Sequence, residues 1–168
     1  MQPKLTVYVS RKKKAASGFL SVLMIVLCVL FLLGGIIFTK GMLFPCFLMA
    51  GLYFLYDIFS KRDYEYILEN NILRVDVIWG RRFRRTEHEI DLQNLVVLAP
   101  HDHEAVAEYR KGASSGRIAK YDYTSYEDGV PYYTLIAYED RKMVKLLLDL
   151  NDEFLARVKQ DYPERVFR

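Results

Sequence analysis

Tyr64 to Trp79 reads YEYILENNILRVDVIW, and this stretch decides how the water-facing part of the chain folds. Tyr64 to Glu69 is a short run rich in aromatic and branched residues. Asn70-Asn71 is a pair able to take the left-handed backbone of a tight hairpin turn, and Ile72 to Trp79 is the returning strand. On the return, Leu73, Val75, Val77 and Trp79 alternate onto one face. Gly80-Arg81 then turns the chain into Phe83 to Ile90, a third strand whose charge marks one face as exposed. Two hairpins in succession predict an antiparallel meander.

Downstream the pattern continues. Asp91 to Asn94 is a short connector, and Leu95 to Ala99 is a fourth apolar strand stopped by Pro100. His101 to Arg117 is polar and glycine- and serine-rich, which predicts a long loop with one helical turn around Glu104 to Tyr109. Three further strands are expected at Ile118 to Tyr123, Tyr132 to Tyr138 and Lys142 to Leu148, the last after a Glu139-Asp140 turn. Asn151 is a good N-cap for a final helix. Asp152 and Glu153 sit in its first turn, Phe154, Leu155, Val158 and Tyr162 recur at helical spacing, and Pro163 stops it. About seven short strands and one amphipathic helix predict an α+β unit over residues 63–168: a curled antiparallel sheet or barrel capped by the C-terminal helix.

Upstream the chemistry changes. Ala15 to Thr39 holds 25 consecutive uncharged residues, enough helix for roughly 37 Å against a hydrocarbon core of about 30 Å. A second apolar run covers residues 42–59 and contains one acid, Asp57, near its end, where a carboxylate reaches the headgroups. Pro45 suits the first turn of that helix, and Tyr53, Phe54 and Tyr56 suit an interfacial belt. The first run is too long for a secretory signal, and it ends in Ile-Ile-Phe-Thr-Lys rather than at small residues. The expectation is a transmembrane helical hairpin, with residues 1–14 as a basic N-terminal segment. Arg11, Lys12, Lys13 and Lys14 precede span one, Lys61 and Arg62 follow span two, and Lys40 alone marks the connecting turn. The positive-inside rule then places both termini in the cytoplasm, with those six flanking cations at the membrane surface.

The charge count divides at the same point. Up to Arg62 the chain carries eight lysines and arginines against one acid; from Asp63 onward it carries 16 bases and 20 acids. The net charge of +3 therefore belongs to the membrane end, and the water-facing part would repel a polyanion, which argues against nucleic acid as a partner. Both cysteines, Cys28 and Cys46, lie in the apolar runs, one per span, as small packing residues. Gly34, Gly35, Ala50 and Gly51 lack the GxxxG spacing of a helix-dimer seam and give only weak support to a homo-oligomer.

The order and lengths of the strands resemble a pleckstrin-homology-like domain. Tyr64-Glu65-Tyr66, Leu73-Arg74-Val75-Asp76, Gly80-Arg81-Arg82, Ile90-Asp91-Leu92, Ala99-Pro100 and the helix after Asn151 are similar to those of a family of short two-span bacterial membrane proteins from Firmicutes. The resemblance implies a bacterial PH-like domain at the inner face of the plasma membrane. It implies no substrate, cofactor or catalytic residue.

Two residue groups remain to be placed. His101-Asp102-His103, with His88 and Glu104, is the one concentration of metal-ligand types, but no fourth ligand follows by spacing, so a solvated loop is expected and a metal site is the alternative. No nucleophile-elbow or phosphate-loop pattern occurs, so neither an enzyme nor a cofactor is expected. Arg81, Arg82, Arg84 and Arg85, flanked by Trp79 and Phe83, are the one basic concentration beyond the spans. They are expected either to hold anionic lipid headgroups or to pair with Glu87, Glu89 and Asp91. The role that fits is a membrane-anchored, non-enzymatic scaffold with a protein partner. A lipid-headgroup sensor and an accessory subunit of a larger membrane complex are the alternatives.

Overall fold

A computed structural model describes residues 4–12, 15–109 and 118–168. Lys13, Lys14 and residues 110–117 of the loop expected after Pro100 lie outside the described residues. The chain divides into two compact units. A helical unit comprises Lys12–Arg62 with Trp79–Phe83, and a β unit comprises Met1–Arg11, Asp63–Ile78 and Arg84–Arg168.

The helical unit is a pair of helices, α1 (Ala15–Ile37) and α2 (Leu43–Ser60), joined by a 3-10 turn at Lys40–Met42. Thr39 caps that turn, its hydroxyl accepting from the Gly41 N–H at 3.2 Å. The two glycines near the end of α1 are explained by packing within the chain. A Cβ on Gly34 would come within 2.6 Å of the Met42 sulfur, and one on Gly35 within 2.7 Å of Leu43 Cδ2. Cys28 and Cys46 face each other across the pair, Sγ to Sγ at 3.5 Å. Elsewhere the surface is greasy: Phe19, Ile36, Phe44 and Phe47 are exposed by 73%, 72%, 76% and 76%. Both helices are long and apolar enough to cross a membrane.

Among the described residues, the β unit contains two four-stranded sheets. The first has the order β1 (Leu5–Ser10), β2 (Arg62–Glu69), β3 (Ile72–Trp79), β4 (Phe83–Asp91). The meander β2-β3-β4 is the one expected, but β1 is not. Leu5–Ser10 pairs antiparallel with β2, from Leu5 opposite Leu68 to Ser10 opposite Asp63. The alternation of Leu5, Val7 and Val9 with Thr6, Tyr8 and Ser10 turns the more buried set inward. The segment treated as a basic N-terminus thus also contributes a strand.

The second sheet has the order β5 (Leu95–Pro100), β7 (Tyr133–Glu139), β8 (Lys142–Leu148), β6 (Ala119–Asp122). This departs from a purely antiparallel sheet, because β6 runs parallel to β8, from Ala119 opposite Val144 to Asp122 opposite Leu147. The long connection after β6 lets the chain cross over before β7, whereas β7 and β8 are held together by a two-residue turn. That turn is Asp140-Arg141, one residue later than expected, with φ of 48° and 64°.

The two sheets meet through buried tyrosines. The Tyr66 hydroxyl donates to the Tyr123 carbonyl at 2.7 Å, and the Tyr64 ring meets the Tyr123 ring edge-on at 5.3 Å. Burial holds the Tyr66 hydroxyl far above its ordinary range, so it remains a donor at every accessible pH. Helix α3 (Asp152–Asp161) closes this core with Phe154, Leu155 and Val158, and Asn151 caps it by accepting from the Phe154 N–H at 2.9 Å. Each such fully buried apolar side chain stabilises the fold by about 1.5–3 kcal/mol relative to exposure. After Pro163 the chain returns to cover the outer edge of β5. Leu98 donates its N–H to the Arg165 carbonyl and accepts from the Phe167 N–H, both at 2.8 Å.

Candidate functional site

The β3–β4 turn is built from two left-handed residues, Gly80 (φ 56°) and Arg81 (φ 62°), and is closed by the Arg82 N–H donating to the Trp79 carbonyl at 3.1 Å. This is the type I′ pattern that matches strand twist. Glycine meets a second demand here. A Cβ on Gly80 would lie 2.9 Å from Ile58 Cγ2 and 3.4 Å from the Ile58 carbonyl. The close approach lets the Gly80 N–H donate to the Lys61 carbonyl at 3.0 Å. The turn is thereby fastened to the last turn of α2, which is why Trp79–Phe83 belongs to the helical unit.

The four arginines expected to act together are divided by this arrangement. Arg81 and Arg82 are exposed in the turn, as are Phe83 and the neighbouring Lys61 and Arg62. Lys61 is paired with Asp57, Nζ to Oδ2 at 2.6 Å, whereas Arg62, Arg81 and Arg82 have no acidic partner among the described residues. Arg84 lies in the β unit, ion-paired with Glu65 and with Asp76 Oδ2 at 3.3 Å. The buried Asp76 also accepts from the Thr86 hydroxyl at 2.8 Å. Arg85 is exposed on β4 in the same unit. The acids that neutralise Arg84 are cross-strand neighbours on β2 and β3, not Glu87, Glu89 or Asp91, because register rather than sequence proximity sets the pairs in a sheet. Glu89 is instead 3.6 Å from Arg74.

Among the cations that flank the apolar helices, Arg11 is used inside the β unit. Its Nη1 donates to the Tyr64 hydroxyl at 2.7 Å, its Nη2 lies 3.6 Å from Asp122 Oδ1, and its guanidinium stacks 4.2 Å from the Tyr126 ring centre. Burial pushes the Asp122 carboxyl up. Hydrogen bonds from the Thr124 hydroxyl, the Tyr126 hydroxyl and the Thr124 N–H, together with the Arg11 charge, outweigh it and hold the group below its ordinary range. Asp122 also lines an open polar pocket of about 570 Å³ with His101, Ser125, Tyr126, Tyr132 and Asp149. Asp149 is buried and already accepts from the Ser125 N–H at 2.7 Å.

The three histidines go to separate places. His88 is buried, its Nδ1 2.6 Å from Glu139 Oε2 and its ring against Tyr121 and Tyr123. His101 is within 3.0 Å of the Thr134 hydroxyl and stacks on Tyr132. His103 caps the 3-10 turn Glu104–Val106 by accepting from the Ala105 N–H at 3.1 Å. Val106 from that turn is fully buried against Val97, Ala99 and Ile136, which anchors the first part of the loop, while Asp102, Glu104, Ala107 and Glu108 around it stay exposed. No group of three or more histidine, cysteine, aspartate or glutamate side chains suited to a metal occurs among the described residues.

The sequence reading missed the fastening of the turn to α2. The signal for it was Gly80 itself: Asn70-Asn71 and Asp140-Arg141 make the same backbone turn without glycine, so a glycine at position 80 implies close approach as well as left-handed φ.

Two four-stranded sheets with a C-terminal helix, carried with a pair of apolar helices, are consistent with a PH-like domain that bears a candidate membrane segment. The chain matches the family described as Bacterial PH-like domain (DUF6106) over residues 6–168, and it belongs to that family. The match runs from β1 through both apolar helices to the last residue. No curated protein and no solved structure matches.

Proposed function

We propose that the protein is a membrane-anchored, non-enzymatic binding module, in which α1 and α2 cross the bacterial plasma membrane and the PH-like unit recruits a protein partner at its cytoplasmic face. The observation that carries this reading is the pairing of β1 with β2, Ser10 opposite Asp63. The helical pair leaves the sheet after one strand and re-enters it at the neighbouring strand, so two spanning helices return the chain to the side it left. The cation bias selects that side, because Lys12 to Lys14 and Lys61-Arg62 flank the ends joined to the sheet and Lys40 alone marks the opposite turn. PH-like domains are generally non-catalytic, which favours binding over turnover. The edge strands β1 and β6 offer unpaired backbone for strand addition by a partner peptide.

The test is protease accessibility together with alkaline extraction in bacterial cells. The full chain should stay in the membrane pellet through a carbonate wash, and its β unit should resist external protease until the membrane is permeabilised. Digestion of intact spheroplasts, or release by carbonate, rejects the anchored cytoplasmic reading.

A further inference from the structure

We infer that the turn Trp79–Phe83 is an anionic-lipid contact site: Arg81 and Arg82, with Arg62, hold headgroups of the leaflet that α2 leaves, and Phe83 enters the interface beside them. This rests on the proposal that α2 crosses a membrane, and it names the partner of one surface of the helical unit. The argument begins with position. The Gly80 N–H bond to the Lys61 carbonyl and the contact of Gly80 with Ile58 hold the turn within one helical turn of the end of α2. Whatever depth Ile58 to Lys61 takes, the turn takes as well, and the end of a spanning helix lies at headgroup depth.

The second step is charge. The helical unit carries eight lysines and arginines and one acid, Asp57, and that acid is engaged by Lys61. Arg62, Arg81 and Arg82 are therefore exposed cations without an acidic partner among the described residues. Arginine presents a fork of donors that matches phosphate oxygens. The third step is the apolar residue. Phe83 is 62% exposed immediately after the two arginines, with Phe59 of α2 exposed by 60%. In water these rings are unfavourable. At an interface, an exposed aromatic next to arginine is the favoured arrangement.

Trp79 is the sole tryptophan, so the turn carries its own fluorophore. The full chain is reconstituted into vesicles of phosphatidylcholine with phosphatidylglycerol, one or the other lipid being brominated at a shallow acyl position. Quenching of Trp79 by brominated phosphatidylglycerol should exceed that by brominated phosphatidylcholine by about threefold, since one cation at the surface is worth about a fivefold enrichment before dilution by bulk lipid. Raising the salt from about 0.1 M to about 1 M, which shortens the screening length from about 10 Å to about 3 Å, should bring the ratio towards one.

The double variant Arg81→Asn/Arg82→Gln keeps a residue tolerant of left-handed φ at position 81 and removes both charges. It should lose the lipid preference and retain quenching by phosphatidylcholine, which also shows that the turn is still in place. Arg85→Gln, which removes one positive charge from the β unit instead, should keep the preference. A ratio of one in the unaltered chain, a preference surviving in the double variant, or an equal loss in Arg85→Gln overturns the inference. Absence of quenching by either lipid is a different outcome: it removes the turn from the bilayer and overturns the anchored reading with it.

Discussion

Asp122 shows how much of the β unit depends on single residues placed from a distance. Its carboxylate gathers the Thr124 and Tyr126 hydroxyls at 2.8 and 2.9 Å and faces the guanidinium of Arg11, more than a hundred positions earlier in the chain. The group titrates below its ordinary value in the folded protein. A carboxyl of that kind adds stability that is fully present above its unfolded pKa, about 3.9, and is lost as pH falls through the folded value. Stability of the full chain in detergent should thus decline below about pH 4, and Asp122→Asn should be less stable at pH 6 yet decline less steeply on acidification. Denaturation followed by circular dichroism at pH 3 and pH 6 measures the difference, and parallel declines in the two proteins would refute it. None of this was legible beforehand, since the reading took Arg11 as a membrane-surface cation and gave Asp122 no partner. The partners of the histidines depend on the fold in the same way. Spacing placed His101 and His103 together, whereas the fold gives one to Thr134 and uses the other as a cap.

Elements were legible where their signals are local. The three strands β2 to β4, the Asn70-Asn71 and Gly80-Arg81 turns and the Asn151 cap all rest on residues within a few positions of one another, and all appear as read. The order of the second sheet was not legible, because β6 finds its partner more than twenty residues away and in parallel, a pairing that no local pattern encodes. The strand β1 had a signal, the alternation of Leu5, Val7 and Val9, but it was outweighed by the basic run that follows. The helix pair offers a test of register at this scale. With Cys28 and Cys46 sulfurs 3.5 Å apart, small rotamer changes bring them to bonding distance, whereas a slip of one turn carries one past the other by about 5.4 Å along the helix axis and out of bonding reach. Mild oxidation of membranes with copper phenanthroline should therefore close an intrachain disulfide, read as loss of two maleimide-reactive thiols from the denatured chain and their return on reduction. Cys28→Ser should leave Cys46 reactive under the same treatment. Two thiols that stay reactive in the oxidised wild-type chain would mean that α1 and α2 pack in another register.

At the scale of the whole molecule, the chain is a β unit interrupted between its first two strands by the helical pair. Ser10 and Asp63 are register partners although 52 residues separate them, so the sheet would be continuous without the intervening segment. Loop closure over so long a span is favourable only if the inserted segment brings its own ends together, which an antiparallel helix pair does. The helices and the sheet thus need not depend on each other for folding. Excision tests that independence. Joining Arg11 to Arg62 through Asn-Gly leaves a four-residue loop between paired positions, a common hairpin connection, and it retains the Arg11 contacts to Tyr64 and Asp122. Phe83→Glu removes the most exposed apolar side chain of the turn that otherwise packs on α2. The shortened protein should be soluble without detergent, monodisperse, and cooperative in thermal unfolding, with dispersed amide resonances from both sheets. A soluble but molten product, or one that aggregates when its detergent is withdrawn, would show that the sheet forms only with its helices in place, and the chain would then be one folding unit in which the helical pair supports the sheet.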